Sequence, residues 1–148
     1  MKKILLLLVS IFLLWGCTTT KENATKLNKN VTISFFYIQT CSDCKAFKKE
    51  AIPYFEKVFG DQIAINQYDF DDSKNTQAIY DKIVDSLVDF DQELYGNGPF
   101  ISVDGYFAKL GYTSGDEIEF AKDIEKAVNN QELGYELEAY RFLYKDSE

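Results

Sequence analysis

The chain of 148 residues contains no histidine, and it has only three cysteines, two prolines and one tryptophan. The lack of histidine excludes Ser/His and Cys/His catalysis and any histidine-ligated metal, and it removes the usual general base at neutral pH. A zinc site takes four ligands from cysteine, histidine and carboxylate groups, and the thiols here are too few to supply it. The sequence therefore predicts no metal site, and the cysteines become the residues of chemical interest.

Basic residues are also in the minority. The chain has 16 lysines and arginines against 24 aspartates and glutamates, for a formal net charge of −8. Because phosphate backbones repel such a surface, we expect no nucleic-acid partner. Asp81, Asp85 and Asp89 recur every four residues, which indicates a solvated helix face. A calcium loop would instead place its ligands at alternate positions of a turn that contains glycine.

The apolar run near the start of the chain is too short to span a bilayer comfortably. Residues 4–15 follow two lysines and contain one polar residue, Ser10, which is the pattern of an export signal. The run ends at Leu14-Trp15-Gly16-Cys17, which resembles the lipobox of bacterial lipoproteins, where cleavage precedes a cysteine that takes a diacylglyceryl group. An ordinary signal peptide and an uncleaved anchor are the alternatives.

This resemblance implies a processed protein held on a bacterial membrane from its extracytoplasmic side. Residues 1–16 would be the signal peptide, Cys17 the site of lipid attachment, and 17–30 the lipidated cysteine with a polar, flexible tether. If Cys17 carries lipid, two thiols remain. One intramolecular pair would account for both of them in an exported protein.

Those two thiols, Cys41 and Cys44, are separated by Ser42 and Asp43 and follow the apolar stretch 31–38 directly. An amphipathic helical pattern begins at the same point, so the order is strand, CxxC, helix, which is typical of dithiol redox proteins. A thiol in the first turn of a helix faces unpaired amides and the positive end of the helix dipole, which lower its pKa. Cys41 is therefore the candidate nucleophile and Cys44 its resolving partner.

A structural disulfide is the main alternative for this pair. A loop of two intervening residues stabilises a fold little through chain entropy, because the closure entropy grows with loop length. The spacing therefore favours a redox role. A non-catalytic binding module with a structural disulfide remains the second hypothesis.

The rest of the chain is predicted to form further strands and helices. A second strand is predicted over 63–70, a long helix through Ile79 to Leu94, a hairpin at Asp104-Gly105 and a last helix over about 116–128. Pro53 should kink the first helix. In the tail 131–148, apolar residues fall on one helical face and predict a C-terminal helical extension; they are Leu133, Leu137, Tyr140 and Tyr144.

The region of about 31–128 resembles the thioredoxin-like family of thiol-disulfide oxidoreductases. The likeness rests on a strand leading into CxxC, a proline late in the first helix, and Pro99 just before the hairpin. It implies an α/β thioredoxin-like fold over 31–130, in which a central mixed sheet is flanked by helices. The stretch 72–97 is long and implies an enlarged helical insertion before the proline, which in this family is cis and lies beside the cysteines.

The resemblance also implies a function. Cys41 and Cys44 would form a redox-active disulfide that exchanges with thiols or disulfides of exported proteins, without an organic cofactor. Thr40, Gly98 and Pro99 would line the substrate groove, and a membrane or extracytoplasmic redox partner would renew the dithiol. Since the Asp43 carboxylate disfavours a nearby thiolate, we expect a reductant or an isomerase-like exchanger rather than a primary oxidant.

Overall fold

A computed structural model describes residues 25–146 as an α/β structure with a five-stranded sheet and helices on both of its faces. The strands and helices are β1 (Val31–Tyr37), α1 (Ser42–Phe59), β2 (Ile63–Asp69), α2 (Ser73–Asp85), β3 (Phe100–Val103), β4 (Phe107–Leu110), α3 (Glu117–Val128) and β5 (Arg141–Leu143). Two short 3-10 turns, Gly60–Gln62 and Gln92–Leu94, lie between them. The predicted mixed sheet with flanking helices is thus present.

The sheet has the order β2-β1-β3-β4-β5, so β1 lies inside the sheet, and its side chains pack in the core on both faces. β1 runs parallel to β2 and antiparallel to β3, while β3, β4 and β5 form an antiparallel ribbon. Successive side chains of a strand point to opposite faces. Phe35 accordingly packs with α1 and α3, whereas Phe36 packs with α2, and both rings are fully buried.

Helix α1 carries the stripe of apolar residues that its sequence predicts. Phe47 and Phe55 are fully buried against the sheet and α3, and their rings contact Phe120 of α3. The helix continues through Pro53 and ends at Phe59, and the next residue, Gly60, has a φ of 55°, which favours glycine. This helix places the CxxC motif at one end of the sheet and Phe59 at the other.

The long helix predicted through Leu94 is shorter in the structure, because α2 ends at Asp85. Leu87 then pairs with Tyr144 across an isolated bridge, and the Val88 amide donates to the Leu143 carbonyl at 2.8 Å. These contacts hold Leu87 at the edge of the sheet, where it is buried in the same cluster as α2. The apolar spacing therefore predicts correctly that Leu87 is buried. Pairing at the edge of the sheet, rather than a longer helix, is what buries it.

The predicted helical extension over 131–148 is wrong for the residues that the structure describes, which run to Asp146 in this tail. The chain instead forms β5, whose residues pair antiparallel with β4 in the register Phe107↔Leu143. Leu137 packs with the α1 and α3 side of the core, and Phe142 packs with the α2 side. Tyr140, with a φ of 55°, turns the chain between the two.

The expectation of a flexible tether over 17–30 is also wrong where it can be compared, in residues 25–30. Leu27 is 2 % exposed within the core, and the Thr25 amide donates to the Val58 carbonyl at 2.8 Å. The Gln62 side chain accepts from the Leu27 amide at 3.0 Å and donates to the Leu27 carbonyl at 2.7 Å. The packed unit therefore includes Thr25. The proposed signal peptide, Cys17 and residues 18–24 lie outside the described residues.

We expect Leu27→Ala to lower the free energy of unfolding by about 2–3 kcal/mol, since a buried leucine side chain is removed and a cavity remains. Ile118→Ala is the matched control, because that side chain is 48 % exposed and its loss should have little effect. Urea unfolding of both variants measures the difference. Equal stability of the two variants would mean that Leu27 does not dock.

Candidate redox site

The two cysteines lie at the start of α1, just after the loop that follows β1. They form a disulfide, and their Cα atoms are 5.3 Å apart. Cys44, in the first turn of the helix, is 1 % exposed, whereas Cys41 at the helix cap is partly exposed. A substrate can therefore reach the sulfur of Cys41 more readily than that of Cys44. This asymmetry is compatible with Cys41 as nucleophile and Cys44 as resolving partner, which stay predictions.

The start of α1 sets the electrostatics of Cys41. Its Sγ accepts the backbone N–H of Cys44 at 3.0 Å, in the position that a capping side chain takes. Such amides and the positive helix end stabilise a thiolate when the disulfide is reduced. Asp43, the acidic residue of the first turn, opposes this effect, and its carboxylate accepts from the Ser42 hydroxyl at 3.1 Å.

Gly98 lies against the disulfide, where the family resemblance leads us to expect it. The peptide bond between Gly98 and Pro99 is cis, and the Gly98 carbonyl oxygen is 3.7 Å from the Cys41 Sγ. A Cβ added to Gly98 would lie 3.4 Å from the Cys44 Sγ, so this residue faces both sulfur atoms. Pro99 is buried, and its carbonyl oxygen accepts the Gly111 amide at 2.8 Å. Thr40 is exposed in the turn that the Cys41 amide closes onto the Ile38 carbonyl at 3.1 Å.

Helix α2 holds the loop that ends at Gly98, through residues that the sequence pattern did not single out for this purpose. The Tyr80 hydroxyl accepts the Gly96 amide at 3.2 Å, and the Tyr80 ring is fully buried, with its centroid 5.1 Å from that of Phe36. The Tyr95 hydroxyl donates to the Asp81 carboxylate. Helix α2 and the segment that follows it therefore support the Gly98 loop.

The hydrogen bond to Asp81 raises the pKa of Tyr95 to about 12, since it favours the protonated phenol. Burial raises the pKa of Tyr80 for a different reason, because the interior disfavours the phenolate. Both tyrosines thus remain hydrogen-bonding hydroxyls at neutral pH. Of the three aspartates interpreted as a solvated face, Asp85 and Asp89 are exposed, while Asp81 is partly buried by its contact with Tyr95.

A cavity of about 260 Å³ opens beside Cys44. The ammonium of Lys48 lies 2.9 Å from the centroid of the Tyr37 ring in this cavity. Nearby, the Asp69 carboxylate accepts from Gln39 at 2.7 Å; this hydrogen bond, the Asp71 amide and the charge of Lys48 lower the pKa of Asp69. The lining residues are Tyr37, Ile38, Gln39, Cys44, Lys45 and Lys48.

Larger cavities exist away from the cysteines, one of about 510 Å³ between the end of α3 and β5 and one of about 430 Å³ beneath α2. Neither is lined by a cysteine. Within residues 25–146, no cluster of three or more cysteine or acidic side chains is arranged to hold a metal ion. No helix in that same stretch combines the length and apolar character needed to cross a membrane.

Comparison with known proteins adds no relative: no family model, no curated protein and no solved structure matches this chain. The geometry around the cysteines is therefore the basis for assigning a function.

Proposed function

We propose that the protein is a thiol-disulfide oxidoreductase with a thioredoxin-like fold. The proposal rests mainly on the Cys41–Cys44 disulfide at the start of a helix. Cys41 is partly exposed, Cys44 is buried, and Gly98 lies against both sulfur atoms. The sheet order and the flanking helices are compatible with this fold. Lipid attachment at Cys17 would place this site on the extracytoplasmic side of a bacterial membrane.

The chemistry follows from the accessibility of the two sulfurs. In the reduced protein the Cys41 thiolate attacks a substrate disulfide; a bond between Cys41 and the substrate forms, the substrate disulfide breaks, and the released thiolate takes a proton from water. Cys44 then loses its proton to water, and its thiolate attacks the Cys41 sulfur; the Cys41–Cys44 bond forms, the bond from Cys41 to the substrate breaks, and the second substrate thiolate leaves and takes a proton from water. Two electrons pass from the protein dithiol to the substrate, and a dithiol partner renews the reduced protein. The reverse sequence oxidises a substrate dithiol.

Substrate would approach across the Gly98 side of the disulfide. Gly98 has no side chain beside the disulfide, where a Cβ would lie 3.4 Å from the Cys44 sulfur, and its carbonyl oxygen lies 3.7 Å from the Cys41 sulfur. Backbone groups of this kind bind an extended peptide through main-chain hydrogen bonds, which tolerate many substrate sequences. Exposed Thr40 would border this groove, and buried Pro99 would fix the backbone of Gly98 from the interior side.

Trapping of the mixed disulfide tests this proposal. Reduced Cys44→Ser protein mixed with a peptide disulfide should form a covalent adduct through Cys41, because the second attack cannot occur. Mass spectrometry under non-reducing conditions detects the adduct, and dithiothreitol should release it.

Cys41→Ser is the matched control, since it retains the buried Cys44 thiol and loses the accessible one; Cys17 is replaced by serine in both variants, so that no third thiol can react. The Cys41→Ser variant should form little adduct in the same time. Equal trapping by both variants, or by neither, would contradict the assigned roles and favour a binding module with a structural disulfide.

A further inference from the structure

We propose that the cavity beside Cys44, called here the lysine cavity, binds an acidic side chain that neighbours the reacting cysteine of the substrate. The lysine cavity is defined by the lining residues Tyr37, Ile38, Gln39, Cys44, Lys45 and Lys48. This inference rests on the proposed function, because it assigns a preferred substrate class to the same redox site.

The position of the cavity relative to the reacting sulfur is the first argument. Cys44 lines the cavity, and the Cα atoms of Cys41 and Cys44 are only 5.3 Å apart. Adjacent residues of a substrate are about 3.8 Å apart at their Cα atoms. A substrate cysteine joined to Cys41 therefore brings its neighbouring side chain within reach of the lysine cavity.

The charge of the cavity is the second argument. The chain as a whole has a net charge of −8, yet the two charged side chains that line the cavity are both lysines, Lys45 and Lys48. Among residues 25–146, neither Lys45 nor Lys48 forms an ion pair with an acidic side chain. Asp69 lies close enough for Lys48 to lower its pKa, but it offsets only one of the two positive charges.

The placement of Lys48 is the third argument. Its ammonium lies over the Tyr37 ring at 2.9 Å and is 5.9 Å from the centroid of the Phe35 ring. A cation held over aromatic rings keeps its charge while its position is restricted. The Lys48 side chain is therefore already ordered in the free protein, and binding of a carboxylate would cost less side-chain entropy.

The volume limits what can bind. At about 260 Å³ the cavity is smaller than the clefts of roughly 300–1,000 Å³ that hold whole small-molecule ligands. It suits one side chain of a larger substrate. Tyr37 and Ile38 provide apolar contact for methylene groups, and the lysines provide the countercharge, so glutamate fits this chemistry.

The experiment compares three peptides that each carry one internal disulfide and differ only at the residue after the reacting cysteine, which is Glu, Gln or Lys. Reduced protein is mixed with each peptide, and its remaining thiols are alkylated at successive times and counted by mass spectrometry. We expect the rate constant for the Glu peptide to exceed that for the Gln peptide by about two- to five-fold at low salt, the range of a partly exposed charge pair. The Lys peptide should be the slowest.

Lys48→Met is the test variant, and Lys49→Met is its matched control, because Lys49 is exposed on the same helix and does not line the cavity. The ratio of Glu to Gln rate constants should fall toward one in Lys48→Met and stay unchanged in Lys49→Met. Salt at about 1 M should also reduce the ratio in the unmodified protein, because it screens charges beyond about 3 Å.

The two proposals fail in different ways. Reaction with all three peptides at equal rates would retain the redox function and overturn the role of the lysine cavity. A Glu preference that is equally large in Lys48→Met would also overturn it. Reaction with none of the peptides would overturn the redox function itself.

Discussion

Replacing Cys41 by serine should reduce catalysed disulfide reduction to the uncatalysed background, a loss of at least about 100-fold. The serine hydroxyl is not ionised near neutral pH and cannot replace a thiolate that the start of α1 stabilises. Cys44 cannot substitute for it, because that sulfur is buried and its residue is 1 % exposed. Turnover of a peptide disulfide with dithiothreitol as the reductant measures the loss.

Ser42→Ala is the control for this substitution. It lies between the two cysteines and is exposed, and its hydroxyl contacts Asp43 rather than a sulfur. It should retain most of the turnover. Activity of Cys41→Ser close to that of the unmodified protein would mean that the Cys41 thiol does not react, and the chain would then be better explained as a binding module.

The buried ion pair between α3 and β5 should give the largest stability effect outside the site. Asp123→Ala should lower the free energy of unfolding by about 3–5 kcal/mol, since it leaves a buried charge without its partner. Arg141 donates to the Asp123 carboxylate at 3.0 Å, and the side chains are only 11 % and 4 % exposed. The Gly134 amide, which donates to the same carboxylate at 2.7 Å, would also lose its acceptor.

Glu119→Ala provides a control on the same helix. Glu119 pairs with Lys122 at 2.6 Å, but both side chains are substantially exposed, so water replaces the lost contact and stability should change little. Urea unfolding of the two variants compares the buried and the exposed pair directly. A similar effect for both substitutions would contradict the role of the buried pair in fastening the tail.

The elements that local sequence specifies were predictable. β1 is a run of mostly apolar and β-branched residues, α1 and α3 have helical spacing, and Asp104-Gly105 marks a tight turn, where Gly105 has a φ of 83°. Each of these signals lies within one segment of the chain. The period and the turn residues therefore predict the element without knowledge of the rest of the fold.

The ends of the packed unit were not predictable in this way, because distant contacts define them. Leu27 is fixed by Gln62, 35 residues later, and the tail is fixed by Asp123 through Gly134 and Arg141. The spacing of apolar residues in the tail is typical of a helix. Pairing with β4 overrides that local pattern, as tertiary contacts commonly do.

Some features of the redox site were likewise predictable from the sequence, and others depend on contacts between distant segments. The proximity of Cys41 and Cys44 follows from their spacing, and the placement of Gly98 and Pro99 follows from the order of elements in the family that the chain resembles. The support from Tyr80 and the position of Lys48 over Tyr37 depend on how α2, α1 and β1 meet. No local sequence pattern encodes the contact of Tyr80 with Gly96 or that of Lys48 with Tyr37, because each joins separate elements of the fold.

The reduction potential of the Cys41–Cys44 pair tests the central claim most directly. The protein is equilibrated in graded dithiothreitol and glutathione buffers, its free thiols are alkylated, and the fraction of each state is counted by mass spectrometry. Since Asp43 opposes the thiolate that the helix start favours, we expect a potential between about −270 and −200 mV, within the range of thiol-disulfide exchange proteins. A potential below about −300 mV, typical of structural disulfides, would contradict a redox role for this pair.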